Sequence, residues 1–149
     1  MDVLDSRDLQ KCLDELENEL EELIEELEDA EEELDTYEGE DEEDLGDLQE
    51  EVSLAKDALK EWKDENQEEL DEILAMKDEC APKWKYSVSF IAEEDFEEYA
   101  QDLASDLYGE EIRNASWPFD CIDWEKAAAS LRMDYSSIDY QGTTYLFRS

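Results

Sequence analysis

The first part of the chain has a regular spacing of apolar residues, in alternating steps of four and three between positions 9 and 34. The repeat consists of Leu9, Leu13, Leu16, Leu20, Leu23, Leu27, Ala30 and Leu34. A period of 3.5 residues is typical of a helix that packs against another helix in a coiled coil. Ile24 widens this apolar seam, and Ser6 is the predicted N-cap of the helix.

A second apolar repeat follows the stretch TYEGEDEEDLGD at residues 36–47, where two glycines interrupt the first repeat. Its positions are Leu48, Val52, Ala55, Leu59 and Trp62, and it continues less regularly to Met76. Two helices of about thirty residues joined by a short loop predict an antiparallel hairpin. A parallel dimer of the first helix is disfavoured, because the acids beside its seam would face their own copies. The second helix instead has Lys56, Lys60 and Lys63 beside its seam, where they can face the acids of the first helix.

The pattern changes after Pro82, which is expected to end the second helix. Apolar and polar residues then alternate over residues 85–91, as in a half-buried strand. Residues 93–108 have helical spacing, and Gly109 is expected to terminate that helix. Asp120 is the predicted N-cap of a further helix.

The chain ends in two predicted strands that flank a tight turn at Gln141 and Gly142. The predicted fold class is therefore α+β. An acidic coiled-coil hairpin occupies residues 1–81, and a small three-stranded antiparallel sheet packed with two helices occupies residues 82–149. Cys121 and six aromatic residues are expected in the core of the second domain; the aromatic residues are Trp117, Trp124, Tyr135, Tyr140, Tyr145 and Phe147.

Charge changes this picture more than any motif does. The chain has 50 acidic and 12 basic residues, a net charge of −38. Residues 1–80 account for −30 of it, and residues 18–35 alone contain eleven carboxylates and no base. Such a surface repels nucleic acids and anionic membranes and attracts basic partners. The 15 aromatic residues argue against a disordered acidic tail.

Catalytic chemistry is poorly supported by the sequence. The chain lacks histidine, the commonest general base, and has neither a glycine-rich phosphate loop nor the ligand spacing of a calcium-binding EF-hand. The three cysteines lack metal-site spacing, so they are expected to be free thiols in a reducing cytosol. No signal peptide or membrane span is recognisable. We therefore expect a cytoplasmic protein that is not an enzyme and needs no metal or cofactor.

The charge density of the predicted hairpin has a physical counterpart. A helix of thirty residues is about 45 Å long, and duplex DNA has roughly 26 charges over that length. The net charge of −30 on residues 1–80 is of the same size. Acidic helices are nonetheless often only solvated surfaces. The charge pattern alone leaves an ordinary solvated coiled coil and a mimic of DNA as equal alternatives.

The C-terminal part resembles a known family. The resemblance covers about residues 84–149, and it rests on Phe96, Tyr99-Ala100, Asp106, Trp117-Pro118, Cys121-Ile122-Asp123-Trp124-Glu125, Ala127-Ala128, Asp134-Tyr135, Gly142 and Tyr145. These residues resemble the C-terminal domain of the ArdA antirestriction proteins. Members of that family come from plasmids, transposons and phages, and are elongated acidic dimers that mimic duplex DNA. They occupy the DNA-binding groove of type I restriction–modification enzymes. In this chain an acidic hairpin stands in place of the family's two N-terminal domains.

Charge and resemblance together predict a phage- or mobile-element-encoded DNA mimic that acts in the bacterial host cytoplasm. Its expected partner is the basic DNA-binding groove of a restriction–modification complex, with a CRISPR effector as the alternative target. Whether the chain is a monomer or a homodimer stays open. A coiled-coil adaptor or chaperone-like hairpin is the alternative of a different class. The predicted binding surface consists of carboxylates: Glu21, Glu22, Glu25, Glu28, Asp29, Glu32, Glu33, Asp41, Glu42, Glu43, Asp44, Glu94, Glu98 and Asp102.

Overall fold

A computed structural model of the chain describes residues 3–113 and 116–148. Residues 1, 2, 114, 115 and 149, which the predicted domains include, lie outside the described residues. The helices and strands are β1 (Val3–Asp5), α1 (Ser6–Asp35), α2 (Glu42–Cys80), β2 (Ser89–Ala92), α3 (Phe96–Tyr108), α4 (Trp124–Arg132), β3 (Ser136–Tyr140) and β4 (Thr143–Phe147). Short 3-10 helices occupy Lys83–Tyr86, Glu93–Asp95, Glu110–Arg113 and Phe119–Cys121. The fold class is α+β, as predicted.

The chain forms two compact units. We call residues Lys11–Asp71 the hairpin unit, and Met1–Gln10 together with Glu72–Ser149 the sheet unit. The predicted domain boundary after residue 81 was placed where the amino-acid composition changes. In the structure, the first ten residues and residues 72–80 belong to the sheet unit. Both long helices therefore contribute residues to both units.

The sheet has four antiparallel strands in the order β1-β2-β4-β3, so the predicted three-stranded sheet was wrong. The additional strand is β1, whose Leu4 lies opposite Phe90 of β2. A three-residue strand is too short for an alternating pattern to reveal it, and its partner is distant in sequence. The predicted hairpin of β3 and β4 is confirmed, with Gln141 and Gly142 both at positive φ between the two strands.

Strand β2 begins later than the alternating pattern indicated. The predicted strand at residues 85–91 overlaps the 3-10 helix Lys83–Tyr86, and Tyr86 is 73% exposed. Val88 and Phe90 are buried as expected. The alternation therefore correctly indicated which side chains are buried at residues 88 and 90, but only residues 89–91 of the predicted strand belong to the sheet.

The predicted cap at Ser6 was wrong. The Asp5 carboxylate accepts a hydrogen bond from the backbone N–H of Arg7 at 2.8 Å, as an N-cap does. Hydrogen bonds from Arg7 and Ser87 also lower the pKa of Asp5 to about 2. The fully buried Ser6 hydroxyl instead donates to the Trp84 carbonyl and accepts from the Val88 N–H, both at 2.8 Å. Ser6 thus joins the start of α1 to the segment that leads into β2.

One core cluster of the sheet unit lies where α3 and α4 cover the sheet. Its buried members are Ile91, Phe96, Ala100, Ala128 and Leu146. Helix α3 ends at Gly109, as predicted, with φ at +94°. Helix α4 is capped by Asp123 and not by Asp120, since the Asp123 side chain accepts from the Lys126 N–H.

Two predicted core residues of the sheet unit are exposed. Trp117 is 80% exposed, and Cys121 is also exposed. Trp117 precedes the short 3-10 helix Phe119–Cys121, and Cys121 is its last residue, so both lie before the start of α4. Of the other predicted core aromatics, Tyr145 and Phe147 are buried, and Trp124, Tyr135 and Tyr140 are partly buried.

Candidate functional site

The hairpin unit begins its second helix earlier than the sequence predicted. Residues 36–47 were expected to form a loop, but α2 starts at Glu42 and includes Gly46. Asp41 caps it, because its carboxylate accepts from the Glu43 N–H at 2.9 Å. Acidic residues in the first turn of a helix also interact favourably with the helix dipole. These effects offset the cost of one helical glycine, which is about 1 kcal/mol.

The turn between the helices is closed by Tyr37, whose hydroxyl donates to the Asp41 carbonyl at 3.1 Å. A Cβ on Gly39 would lie 2.5 Å from that hydroxyl oxygen. Glycine at this position therefore lets the tyrosine fold over the loop. The result is a turn of six residues, numbers 36–41, of which Glu38, Glu40 and Asp41 are exposed acids.

Two side-chain hydrogen bonds show that the helices are antiparallel. The Trp62 indole N–H donates to Glu19 at 2.9 Å, and the Cys12 thiol donates to Glu69 at 3.5 Å. In both pairs the residue numbers add up to 81. This register places the end of α1 beside the start of α2, as expected for a hairpin.

The predicted seam is buried unevenly. Within the hairpin unit, Leu13, Leu16, Ala30, Val52, Trp62 and Leu70 are buried. Leu20, Leu23, Leu27 and Leu34 are only partly buried, and Ile24 is 37% exposed. The middle of α1 therefore keeps apolar surface in contact with water.

Charge is concentrated at the turn end of the hairpin. The unit has 30 acidic and four basic residues, a net charge of −26. Its longer helical segment, residues 42–71, is about 45 Å long, and duplex DNA has roughly 26 charges over that length. Residues 26–55, which the register places at the turn end, include 16 acids and no base. The unit therefore approaches the linear charge density of duplex DNA.

Eleven of the predicted carboxylates belong to the hairpin unit, and all eleven are exposed: Glu21, Glu22, Glu25, Glu28, Asp29, Glu32, Glu33, Asp41, Glu42, Glu43 and Asp44. The ion pairs within residues 3–113 and 116–148 are Arg7–Asp5, Arg113–Asp102 and Arg132–Glu93, all in the sheet unit. Lys56, Lys60 and Lys63 were predicted to face acids of α1, but they form no ion pair with the described residues. The negative charge of the hairpin is not neutralised by its own lysines.

The remaining three predicted carboxylates belong to the sheet unit. Glu94 and Glu98 are exposed. Asp102 is only partly exposed and pairs with the guanidinium of Arg113. Asp102 is therefore less suited to bind a basic partner than the other thirteen.

The prediction omitted acids that are equally exposed at the turn end. They are Glu26, Glu31, Asp35, Glu38, Glu40, Asp47, Glu50 and Glu51. The signal that could have identified them is the absence of any Lys or Arg between Lys11 and Lys56. Had the binding surface been predicted from the segment without Lys or Arg, it would have included all acids of the turn end.

A groove of the hairpin unit lies mostly within its turn end. Its volume is about 310 Å³, and it is lined by Glu26, Ala30, Glu51, Leu54, Ala55 and Ala58. Leu54 is 61% exposed. Three of the lining residues are alanines, whose small side chains fill little of this space, and two are glutamates.

Other chemistry is not assembled in the described part of the chain. No group of three or more Cys, Asp or Glu side chains among residues 3–113 and 116–148 is placed to hold a metal ion. Within those same residues, no helix is both long enough and apolar enough to cross a membrane.

The three free thiols differ in environment, which predicts an order of alkylation. Burial raises the pKa of Cys80 to about 11, and burial and Glu69 raise the pKa of Cys12. Cys121 is exposed. Because the thiolate is the reactive form, iodoacetamide at pH 8 should modify Cys121 first and Cys80 last. Peptide mass spectrometry over time measures the order, with urea-unfolded protein as the control in which the three rates converge. Equal rates in the folded protein would contradict the predicted environments.

Comparisons of this chain with protein-family models, curated proteins and solved structures found no match.

Proposed function

We propose that the protein is a DNA mimic that inhibits a bacterial DNA-binding defence enzyme by occupying its basic groove. The observation behind this proposal is the turn end of the hairpin unit, where two antiparallel helices and the turn between them carry 16 acids and no base. In this proposal the helices wind around each other as a coiled coil, and the carboxylates stand in for phosphates. The protein acts as a stoichiometric binder without a cofactor.

Physical properties of the hairpin unit support this reading. Two packed helices have a combined width of about 20 Å, close to that of a duplex. The eleven predicted carboxylates of the hairpin unit form no ion pair with the residues that the structure describes, so they are available to lysines and arginines of a partner. A surface of this charge also associates rapidly with a basic groove at low salt.

The resemblance of residues 84–149 to ArdA proteins favours a type I restriction–modification enzyme as the target. The site of action is then the cytoplasm of the bacterial host, and the gene belongs to a phage or another mobile element. A CRISPR effector has a basic DNA-binding channel of the same kind and is the alternative target.

Competition with DNA tests the proposal. Purified type I restriction enzyme is first bound to labelled duplex, and the protein is then added in a gel-shift titration. We expect stoichiometric displacement of the duplex at about 50 mM salt, and at least tenfold weaker displacement at about 200 mM salt. The protein alone should cause no shift of the duplex. A direct shift of naked DNA would refute mimicry, and retention of the duplex by both a restriction enzyme and a CRISPR effector would refute inhibition of these targets.

A helix-binding adaptor is the second candidate, and the groove beside Leu54 favours it. A partner helix with an apolar stripe and basic flanks would cover Leu54 and pair with Glu26 and Glu51. Binding of this kind depends mainly on apolar contact and should change little with salt. Replacing Leu54 with Gln should weaken an adaptor but leave displacement of DNA unchanged.

A further inference from the structure

A second cavity, in the sheet unit, has the opposite electrostatic character. It has a volume of about 400 Å³ and is lined by Ser6, Arg7, Gln10, Lys77, Trp84 and Lys85. Three of the chain's 12 basic residues thus surround one cavity in a molecule of net charge −38. Four other cavities of the described chain each have at least two carboxylates in their lining. The cavity at Trp84 has none, so its composition differs from the rest of the surface.

The walls of this cavity are held in place by hydrogen bonds. Trp84 is buried, and its indole N–H donates to the Gln10 side chain at 2.8 Å. The Ser6 hydroxyl fixes the backbone on both sides of residues 85–87, through Trp84 and Val88. A cavity built in this way needs little rearrangement to accept a ligand, which reduces the entropic cost of binding.

Two of the three positive charges at the cavity, Lys77 and Lys85, form no ion pair among the described residues, whereas Arg7 is paired with Asp5. Arg7 uses two of its five N–H groups on Asp5, which leaves the others free to donate. Lys77 is partly buried, and Lys85 lies 5.0 Å from the Tyr86 ring centroid. Neither lysine has a carboxylate within ion-pair distance among the residues that the structure describes. Lys77 and Lys85 line the same cavity as the Trp84 side chain. An ammonium group without a carboxylate partner is a suitable partner for a carboxylate, sulfonate or phosphate.

We propose that this cavity binds a small organic anion with a flat apolar body. The indole and the hydrocarbon stems of the basic side chains would contact the apolar body, while the ammonium groups pair with the anion. A volume of about 400 Å³ is within the range of small-molecule sites. An acidic macromolecule is a poorer occupant, because its repulsion from a chain of −38 grows with its own charge. The site is separate from the proposed mimicry, which uses the hairpin unit.

The experiment uses naphthalene-2-sulfonate as the probe, titrated into the full chain labelled with ¹⁵N. The Trp84 indole N–H resonance should shift saturably, with half-saturation on the order of 1 mM or below. Neutral 2-naphthol, cationic 2-naphthylmethylammonium and inorganic sulfate should each bind at least about tenfold more weakly. Binding of the cationic or neutral compound as tightly as the sulfonate would overturn the proposal, as would equal binding of sulfate alone.

Charge variants localise the site. The double variant Lys77→Gln, Lys85→Gln should weaken probe binding about five- to tenfold. The matched control, Lys60→Gln with Lys126→Gln, makes the same change in net charge at exposed positions outside the cavity and should bind like wild type. Unchanged backbone amide resonances verify the fold of each variant. If the two double variants lose affinity equally, or if neither does, the cavity at Trp84 is not the binding site.

Discussion

Replacing Leu13 with Asp should destabilise the protein by about 3–5 kcal/mol, because the change removes a buried apolar side chain and buries a carboxylate. Leu13 is 1% exposed and is among the most completely buried large side chains of the chain. The same substitution at Leu54, which is 61% exposed on α2, serves as the matched control. It adds the same charge to the other helix of the hairpin, and we expect a change within about 0.5 kcal/mol.

Urea unfolding of the full chain, followed by helical circular dichroism, measures both effects. Since small domains are stable by only about 5–15 kcal/mol, Leu13→Asp should move the midpoint far toward lower urea or abolish the folded baseline. A wild-type midpoint for Leu13→Asp would mean that α1 does not pack through this position. Equal losses at Leu13 and Leu54 would show that added charge, and not burial, determines the stability of the hairpin.

Helical periodicity predicted the long helices well, because a repeat of apolar residues over many turns identifies the side of a helix that packs against a neighbour. The repeat from Leu9 to Leu34 correctly located α1, which spans Ser6–Asp35. It did not reveal how deeply each position is buried, since Leu20 and Leu27 fit the same repeat as Leu13 but are only partly buried. Burial depends on what lies opposite each residue, and a single helical pattern does not contain that information.

Features that depend on a few residues were predicted less well. Several acids or hydroxyls near a helix start can each cap it, and the predictions of Ser6 and Asp120 missed the observed caps Asp5 and Asp123. The structure distinguishes them by their partners, since Ser6 bonds to Trp84 and Val88. Strand β1 was missed because its pairing with β2 joins residues more than eighty positions apart. Local patterns do not report such long-range contacts.

The candidate surface was partly predictable because carboxylates without partners remain in water. All eleven predicted carboxylates of the hairpin unit are indeed exposed. The early start of α2 was not expected, and it places Glu42, Glu43 and Asp44 on the first helical turn, where a loop had been predicted. The pairing of Asp102 with Arg113 was also hidden from the sequence, because it joins α3 to a 3-10 helix through a turn.

Neutralising four carboxylates on one face of α1 should weaken inhibition of the target enzyme about thirtyfold, or roughly 2 kcal/mol. The variant changes Glu22, Glu25 and Glu32 to Gln and Asp29 to Asn. All four residues are exposed and share one side of the helix, because they are spaced by three, four and three positions. The amides preserve shape and most helix propensity, so the fold should be unchanged. Single substitutions should each have little effect, because an exposed charge contributes only a fraction of this free energy.

The measurement is the inhibition constant of the DNA-binding target at two salt concentrations, where the fourfold variant should also show a shallower salt dependence. Its matched control neutralises Glu97, Glu111, Glu125 and Asp134, which are exposed residues of the sheet unit. Both variants change the net charge from −38 to −34, so they differ only in which unit loses the charge. A loss confined to the α1 variant assigns recognition to the hairpin unit, whereas equal losses would mean that the target responds to net charge alone. If only the control loses inhibition, the hairpin is a scaffold, and the binding surface lies in the sheet unit with Glu94 and Glu98.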